Sequence, residues 1–174
     1  MRTQSDPFPQ HINFTRYHNQ PQGHYESFFQ RANHPSLPLA FWIRYTIFSP
    51  RNHPRDARGE LWAVFFNGET NQHIAVKNEV PLDQCLFRSS AFFAQIGEAT
   101  LQPGQLSGMA RMQENTIAWE LLYHADEKPL FLLPSFLYQT KLPAAKSLVG
   151  APLATYTGSL VVNGETIPIE KWKG

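Results

Sequence analysis

Apolar residues come in short runs from Gly23 onward, and Pro, Gly, Asn or Asp bounds each run. Few stretches keep a helical period over about ten residues, so the pattern is typical of β-strands. The best helix candidate is a short turn near 144–148. The runs predicted to form strands are Tyr25–Phe29, Leu39–Phe48, Leu61–Phe66, His73–Val80, Cys85–Ile96, Gly108–Met112, Thr116–Tyr123, Leu130–Leu133, Leu153–Val162 and Thr166–Trp172.

Three hairpins connect neighbouring runs. The tetrapeptide Asn-Gly-Glu-Thr occurs at 67–70 and again at 163–166. Because Asn-Gly tolerates positive φ at both turn positions, each copy is predicted to close a tight hairpin. Residues 113–115 connect a third pair. Many strands in sequential hairpins, with almost no helix, predict an all-β protein with an antiparallel barrel or sandwich.

The run Leu39–Phe48 contains one charged residue, Arg44. Because alternate strand residues share a face, Trp42 lies on the same face as Arg44, whereas Tyr45 lies on an entirely apolar face. The runs around Trp62 and Trp119 show the same pairing of an apolar face with a mixed one. The mixed faces predict a half-polar cavity beside a dry core. In this cavity Arg44 would pair with a carboxylate and stack on the aromatic walls. The alternative is an exposed face on which Arg44 is solvated.

Composition narrows the class of protein. The chain has 174 residues, 42% of them hydrophobic, and a formal net charge of +1 without a dense basic run. This suits one domain with a real core and disfavours nucleic acid as a partner. The sequence contains no apolar run long enough for a membrane span and no signal-peptide pattern at its start. A cytoplasmic protein is expected, with peripheral membrane contact left open.

Three segments carry a resemblance to a known family. They are residues 23–35 (GHYESFFQRANHP), 37–46 (LPLAFWIRYT) and 59–66 (GELWAVFF). Together they resemble the N-terminal lipocalin-like domain of the AttH/CrtC family, which includes carotenoid 1,2-hydratases (hydroxyneurosporene synthases). Residues 116–121 and 143–165 also look similar to that domain.

The resemblance implies an antiparallel lipocalin-like (calycin-type) β-barrel with little helix, and an isoprenoid or lipid-like ligand. It covers roughly residues 23–174, and residues 1–22 are expected to form a loosely ordered arm. Family members look like two consecutive barrels, whereas this chain stops at Gly174. We therefore expect either a fragment or a single-barrel form, with a second barrel or a second copy as a partner.

The chemistry implied by the resemblance, hydration or cyclisation of an alkene, needs a proton donor and aromatic faces that stabilise a cation. A carboxyl group kept protonated in an apolar cavity is a suitable donor. The candidate acids are Glu26, Glu60 and Glu120; the candidate ligand-binding residues are Trp42, Arg44, Tyr45, Trp62 and Trp119. The alternatives are an ion pair or backbone contact for Glu26 and core packing for Trp62 and Trp119.

The remaining reactive residues show no familiar site. The seven histidines form neither a His-x-x-x-His pair nor a Glu-x-x-His motif, so no metal site is expected. The single cysteine, Cys85, lacks a catalytic signature and is interpreted as structural. No nucleotide-binding or nucleophile motif is present, so no cofactor is expected.

Three functions stay open at this point. The first is binding of a hydrophobic small molecule, isoprenoid or lipid-like, in the barrel. The second is a cofactor-free hydratase or isomerase, a hydro-lyase similar to carotenoid 1,2-hydratase. The third is a structural domain that packs on a second barrel. The hydratase needs a buried acid, the carrier an open cavity, and the structural domain a plugged interior with an exposed apolar patch.

Overall fold

A computed structural model describes residues 13–174 of the chain. Its strands are β1 His24–Asn33, β2 Leu39–Ser49, β3 Arg58–Asn67, β4 Gln72–Pro81, β5 Cys85–Phe87, β6 Ala94–Ile96, β7 Ala99–Gln102, β8 Gln105–Met112, β9 Asn115–His124, β10 Leu130–Phe131, β11 Leu148–Val149, β12 Thr155–Val162 and β13 Glu165–Lys173. The helices among these residues are short 3-10 turns at Pro54–Asp56, Leu82–Gln84 and Ser135–Gln139. The predicted helical turn near 144–148 is wrong, because β11 begins at Leu148 and no helix precedes it there.

Eleven strands form one antiparallel sheet in the order β4-β3-β2-β1-β13-β12-β9-β8-β7-β6-β5. The sheet curls into a nearly closed barrel, and a side chain of β4 joins it to β8. Asn78 Nδ2 donates a hydrogen bond to the Arg111 carbonyl at 3.0 Å, and the Arg111 amide donates to Asn78 Oδ1 at 2.9 Å. The predicted all-β, antiparallel, lipocalin-like barrel is therefore confirmed.

The barrel interior is packed with apolar side chains. The largest fully buried ones include Trp172, Tyr45 and Phe41. The Phe41 ring lies with its centroid 6.0 Å from that of Trp172 and 5.4 Å from that of Tyr156, so aromatic rings fill this part of the core. Such burial supplies most of the driving force for folding.

Barrel closure is incomplete beside β1. This strand pairs with β2 along its whole length, but its ladder with β13 is limited to Asn33 and Lys173. A side-chain hydrogen bond from the Tyr156 hydroxyl of β12 to Gln30 of β1 crosses this seam. Residues 13–23 lie over the neighbouring end of the barrel, where β2 ends and β3 begins, and the Asn52 amide donates a hydrogen bond to the Pro21 carbonyl at 2.8 Å there.

Candidate functional site

Two of the predicted ligand-binding residues lie inside the barrel. Tyr45 is fully buried, its hydroxyl donates to the Thr100 carbonyl at 2.8 Å, and burial raises its pKa. Trp119 is 3% exposed and packs so closely on Gly108 that a Cβ there would lie 3.0 Å from the indole. Both side chains therefore belong to the packed core.

The other three lie on the outer face of the sheet. Arg44 is opposite Phe29 of β1 and Trp62 of β3 in the strand ladders, while the alternate residues of β2 face the core. The prediction of an interior half-polar cavity walled by Trp42, Arg44 and Trp62 is therefore wrong, because these side chains lie on the outer face of the sheet. The physical reason is that the entirely apolar face fills the interior, which leaves the mixed face outside.

Arg44 lies among aromatic rings on this outer face. Its guanidinium carbon is 5.3 Å from the Tyr25 ring centroid and 5.5 Å from that of Trp42, both within cation–π range. The pKa of Arg44 lies below its ordinary value, because burial lowers it and the charge of Glu60 offsets this effect only in part. Arg44 Nε has no hydrogen-bond partner within residues 13–174. We call the side chains of Tyr25, Phe29, Trp42, Arg44 and Trp62 the outer platform.

The predicted pairing of Arg44 with Glu60 or Glu120 is wrong, because no ion pair of the described residues joins them. Glu60 instead binds Lys77, with Nζ 2.9 Å from Oε1, and Trp62 Nε1 donates to its other oxygen at 3.5 Å. Lys77 also lies 4.8 Å from the Trp62 ring centroid. Glu120 is exposed on β9.

Glu26 holds the segment before β1 against the end of the barrel. Its carboxylate accepts a hydrogen bond from Thr15 Oγ1 at 2.5 Å and from the Arg16 amide at 3.1 Å, and His24 Nε2 lies 3.4 Å away. Burial raises the pKa of Glu26, but the His24, Thr15 and Arg16 hydrogen bonds outweigh it, so the pKa lies below its ordinary value. The structure thus keeps this carboxyl ionised, as expected of an anchoring contact rather than of a proton donor.

An open cleft of about 610 Å³ lies at this end of the barrel, and we call it the end cleft. Its walls come from the segment before β1, the two 3-10 turns that follow β2 and β4, and β5. The lining residues are Thr15, Tyr17, Asn19, Pro54, Arg55, Ala57, Pro81, Leu82, Asp83, Cys85, Leu86 and Phe87. The sequence analysis did not predict this site. Four segments that are separate in the chain form it, and no local sequence pattern indicates that they lie together in the fold.

The end cleft contains the chain's one cysteine. Cys85 is half-buried, and burial raises the pKa of its thiol to about 11. The charge of Asp83 adds to this increase, and a hydrogen bond with the Gly59 backbone opposes it. A thiol of this kind is a poor nucleophile at neutral pH. Among the described residues, no group of three or more His, Cys, Asp or Glu side chains is arranged to hold a metal ion. No helix in residues 13–174 is long and apolar enough to cross a bilayer.

Comparisons with known proteins agree with the fold. No protein-family model matches the chain. Two uncharacterized proteins of Mycobacterium tuberculosis, Rv0493c and MT0513, are each 24% identical to it over 152 residues, which is 87% of this chain and 44% of theirs. The crystal structure of an AttH candidate from Nitrosomonas europaea matches 97% of this chain and 53% of its own, with a TM-score of 0.61 and 13% identity. The chain thus spans about half the length of these proteins and shares the fold of an AttH-like barrel.

Proposed function

We propose that this chain binds a hydrophobic small molecule, isoprenoid or lipid-like, and that the binding site is the end cleft. The observation that carries the proposal is a cleft of about 610 Å³ beside an interior that is already filled by side chains. Ligand pockets commonly measure 300–1,000 Å³ and combine apolar walls with a few polar groups. The end cleft has this composition, with Leu82, Leu86 and Phe87 beside Thr15 and Arg55.

Replacing Leu86 by Glu tests the location. Leu86 is 42% exposed on the cleft wall, so the fold tolerates the change while the apolar wall gains a charge. Losing the burial of a leucine against the ligand should weaken binding of dodecanol about tenfold, measured by titration calorimetry. Leu153→Glu is the matched control, because Leu153 is 73% exposed and lies outside the cleft lining. Equal affinities of Leu86→Glu and Leu153→Glu for dodecanol would mean that the ligand binds outside the end cleft.

The hydratase alternative receives little support from the candidate acids. Glu26 is held ionised, Glu60 is paired with Lys77, and Glu120 is exposed. Alkene protonation needs an acid enclosed in an apolar cavity together with the substrate, and none of the three carboxyl groups has such surroundings. We therefore propose binding without this reaction, and the absence of water addition to a carotenoid substrate by the purified chain is the expected result.

A second candidate function is docking to another β-barrel domain through the outer platform. Tyr25 is 60% and Phe29 50% exposed, and Tyr, Trp and Arg are the residues that dominate protein interfaces. The matched proteins are about twice as long as this chain, which leaves room in them for such a domain.

A photoreactive phenylalanine at position 29 tests the docking candidate. It should crosslink a β-barrel domain whose binding to the purified chain is lost with Arg44→Met and kept with Leu153→Glu. Crosslinks that are unaffected by Arg44→Met would remove the outer platform from consideration.

A further inference from the structure

An arginine, Arg55, lies at the place where the end cleft meets a second, smaller hollow. Arg55 lines both the cleft and an adjoining hollow of about 320 Å³. The other arginine of the smaller hollow, Arg58, is bound to Glu79 with an N–O distance of 2.9 Å. Arg55 takes part in no ion pair among the described residues. The guanidinium of Arg55 is therefore available to a ligand.

The wall beside Arg55 is apolar. Pro54 and Ala57 flank it on the connection between β2 and β3. The lining continues with Pro81 at the end of β4, Leu82 in the turn that follows and Phe87 of β5. An aliphatic chain fits this lining, and a guanidinium at its end matches a carboxylate through paired N–H donors. We propose that the end cleft takes an amphipathic anion, an aliphatic chain that ends in a carboxylate, with its head at Arg55. This inference rests on the proposed function.

The end-cleft lining also contains an acidic side chain, Asp83, which distinguishes an anionic ligand from a cationic one. Asp83 lies in the turn after β4, whose Leu82 amide donates a hydrogen bond to the Ala57 carbonyl at 3.1 Å, and its charge reaches the Cys85 thiol. A carboxylate is attracted to Arg55 and repelled by Asp83, so its head lies at Arg55 on the β2–β3 connection. An amine head would lie at Asp83 instead, and a neutral alcohol would lack either preference.

Cys85 gives a direct readout of occupancy, because it lines the cleft and is the chain's single cysteine. The experiment measures the rate of Cys85 alkylation by iodoacetamide at pH 9 with dodecanoate, dodecanol or dodecylamine, each below its micelle concentration. None of the four tryptophans is among the residues that line the cleft, so tryptophan fluorescence separately reports binding elsewhere. We expect dodecanoate to protect Cys85 at concentrations about threefold to fivefold lower than dodecanol, as an exposed ion pair provides.

Arg55→Gln should abolish this preference, and Arg51→Gln, on the same connection but outside the lining, should keep it. Protection is compared within each variant, so a change in the intrinsic reactivity of Cys85 does not affect the result. Equal protection by dodecanoate and dodecanol would overturn the anionic class while leaving the proposed function intact. Stronger protection by dodecylamine would assign the head to Asp83, and a preference that survives Arg55→Gln would overturn the role of Arg55. No protection by any probe would overturn the proposed function itself.

Discussion

Arg44 shows how one charged residue is accommodated in a strand that is otherwise apolar. Its stem lies across the outer face and its guanidinium lies over the rings of Tyr25 and Trp42. Long cationic side chains cover apolar surface in this manner while the charge stays near water. Removing the charge therefore loses two weak cation–π contacts and also releases a buried Nε that has no hydrogen-bond partner among the described residues.

Arg44→Met should change the free energy of unfolding by less than about 1 kcal/mol, because the two effects oppose each other. Urea denaturation measures the difference. Lys77→Met is the comparison: it removes ion pairs to both Glu60 and Glu79 and should cost more than Arg44→Met. A loss of about 3–5 kcal/mol for Arg44→Met would instead indicate a buried carboxylate partner.

Alternation in the sequence correctly identified which residues share a face and which face forms the core, but the prediction that the mixed face is also enclosed is wrong. Phe41, Ile43 and Tyr45 are all buried, as an entirely apolar face predicts. The mixed face of Trp42 and Arg44 suits either a half-polar cavity or an outer surface on which cations cover aromatic rings. Much of a protein's surface is apolar, so mixed composition alone does not decide between the two.

At the scale of elements, Glu26 ties the segment before β1 to the barrel and so shapes one wall of the end cleft. Its folded pKa lies below the ordinary value of 4.5, so the unfolded chain takes up a proton first as the pH falls. The stability that Glu26 contributes is present above that ordinary value and is lost as the pH falls through the lowered folded value.

Glu26→Gln should cost about 1–2 kcal/mol at pH 7 and less as the pH falls below the ordinary carboxyl pKa of 4.5, measured by urea denaturation from pH 7 to pH 3. Tryptic cleavage after Arg16 should accelerate in the same variant, because the amide of Arg16 binds this carboxylate. Thr15→Val removes one hydrogen-bond donor to Glu26 without changing the charge of the carboxylate. It should therefore reproduce part of the pH-dependent loss of stability seen in Glu26→Gln. Unchanged pH profiles in both variants would mean that the carboxylate does not anchor the segment.

The two copies of Asn-Gly-Glu-Thr show where local sequence stops determining structure. At 163–166 the prediction is confirmed, because Asn163 and Gly164 both have positive φ, at 49° and 88°, and Val162 pairs with Glu165. At 67–70 the tight turn is wrong, because Asn67 pairs with Gln72 across a four-residue connection. There the Asn67 side chain accepts hydrogen bonds from the amides of Glu69 and Thr70, which offers the backbone another turn.

At the scale of the whole molecule, the barrel is nearly closed, and its interior is filled rather than hollow. Asn78 bridges β4 to β8, and aromatic side chains such as Trp119 and Tyr45 occupy the space that a ligand would need. Strand signals in the sequence predicted an antiparallel barrel or sandwich, because a strand is encoded locally, and the family resemblance implied the barrel. The filling could not be predicted from sequence, because it depends on which rings meet across strands that are far apart in the chain.

A filled interior predicts that binding inside the barrel has to be created by mutation. Trp119→Ala should cost about 3–5 kcal/mol and leave an apolar cavity, because neighbours such as Gly108 already pack tightly and relax only in part. Such cavities stay dry and bind small apolar molecules, so benzene should raise the Tm of Trp119→Ala. Trp62→Ala, on the outer face, should show no benzene effect, and neither should the unmodified chain. A benzene-dependent rise in the unmodified chain would mean that the interior already holds a cavity, and the ligand site would then move from the end cleft into the barrel.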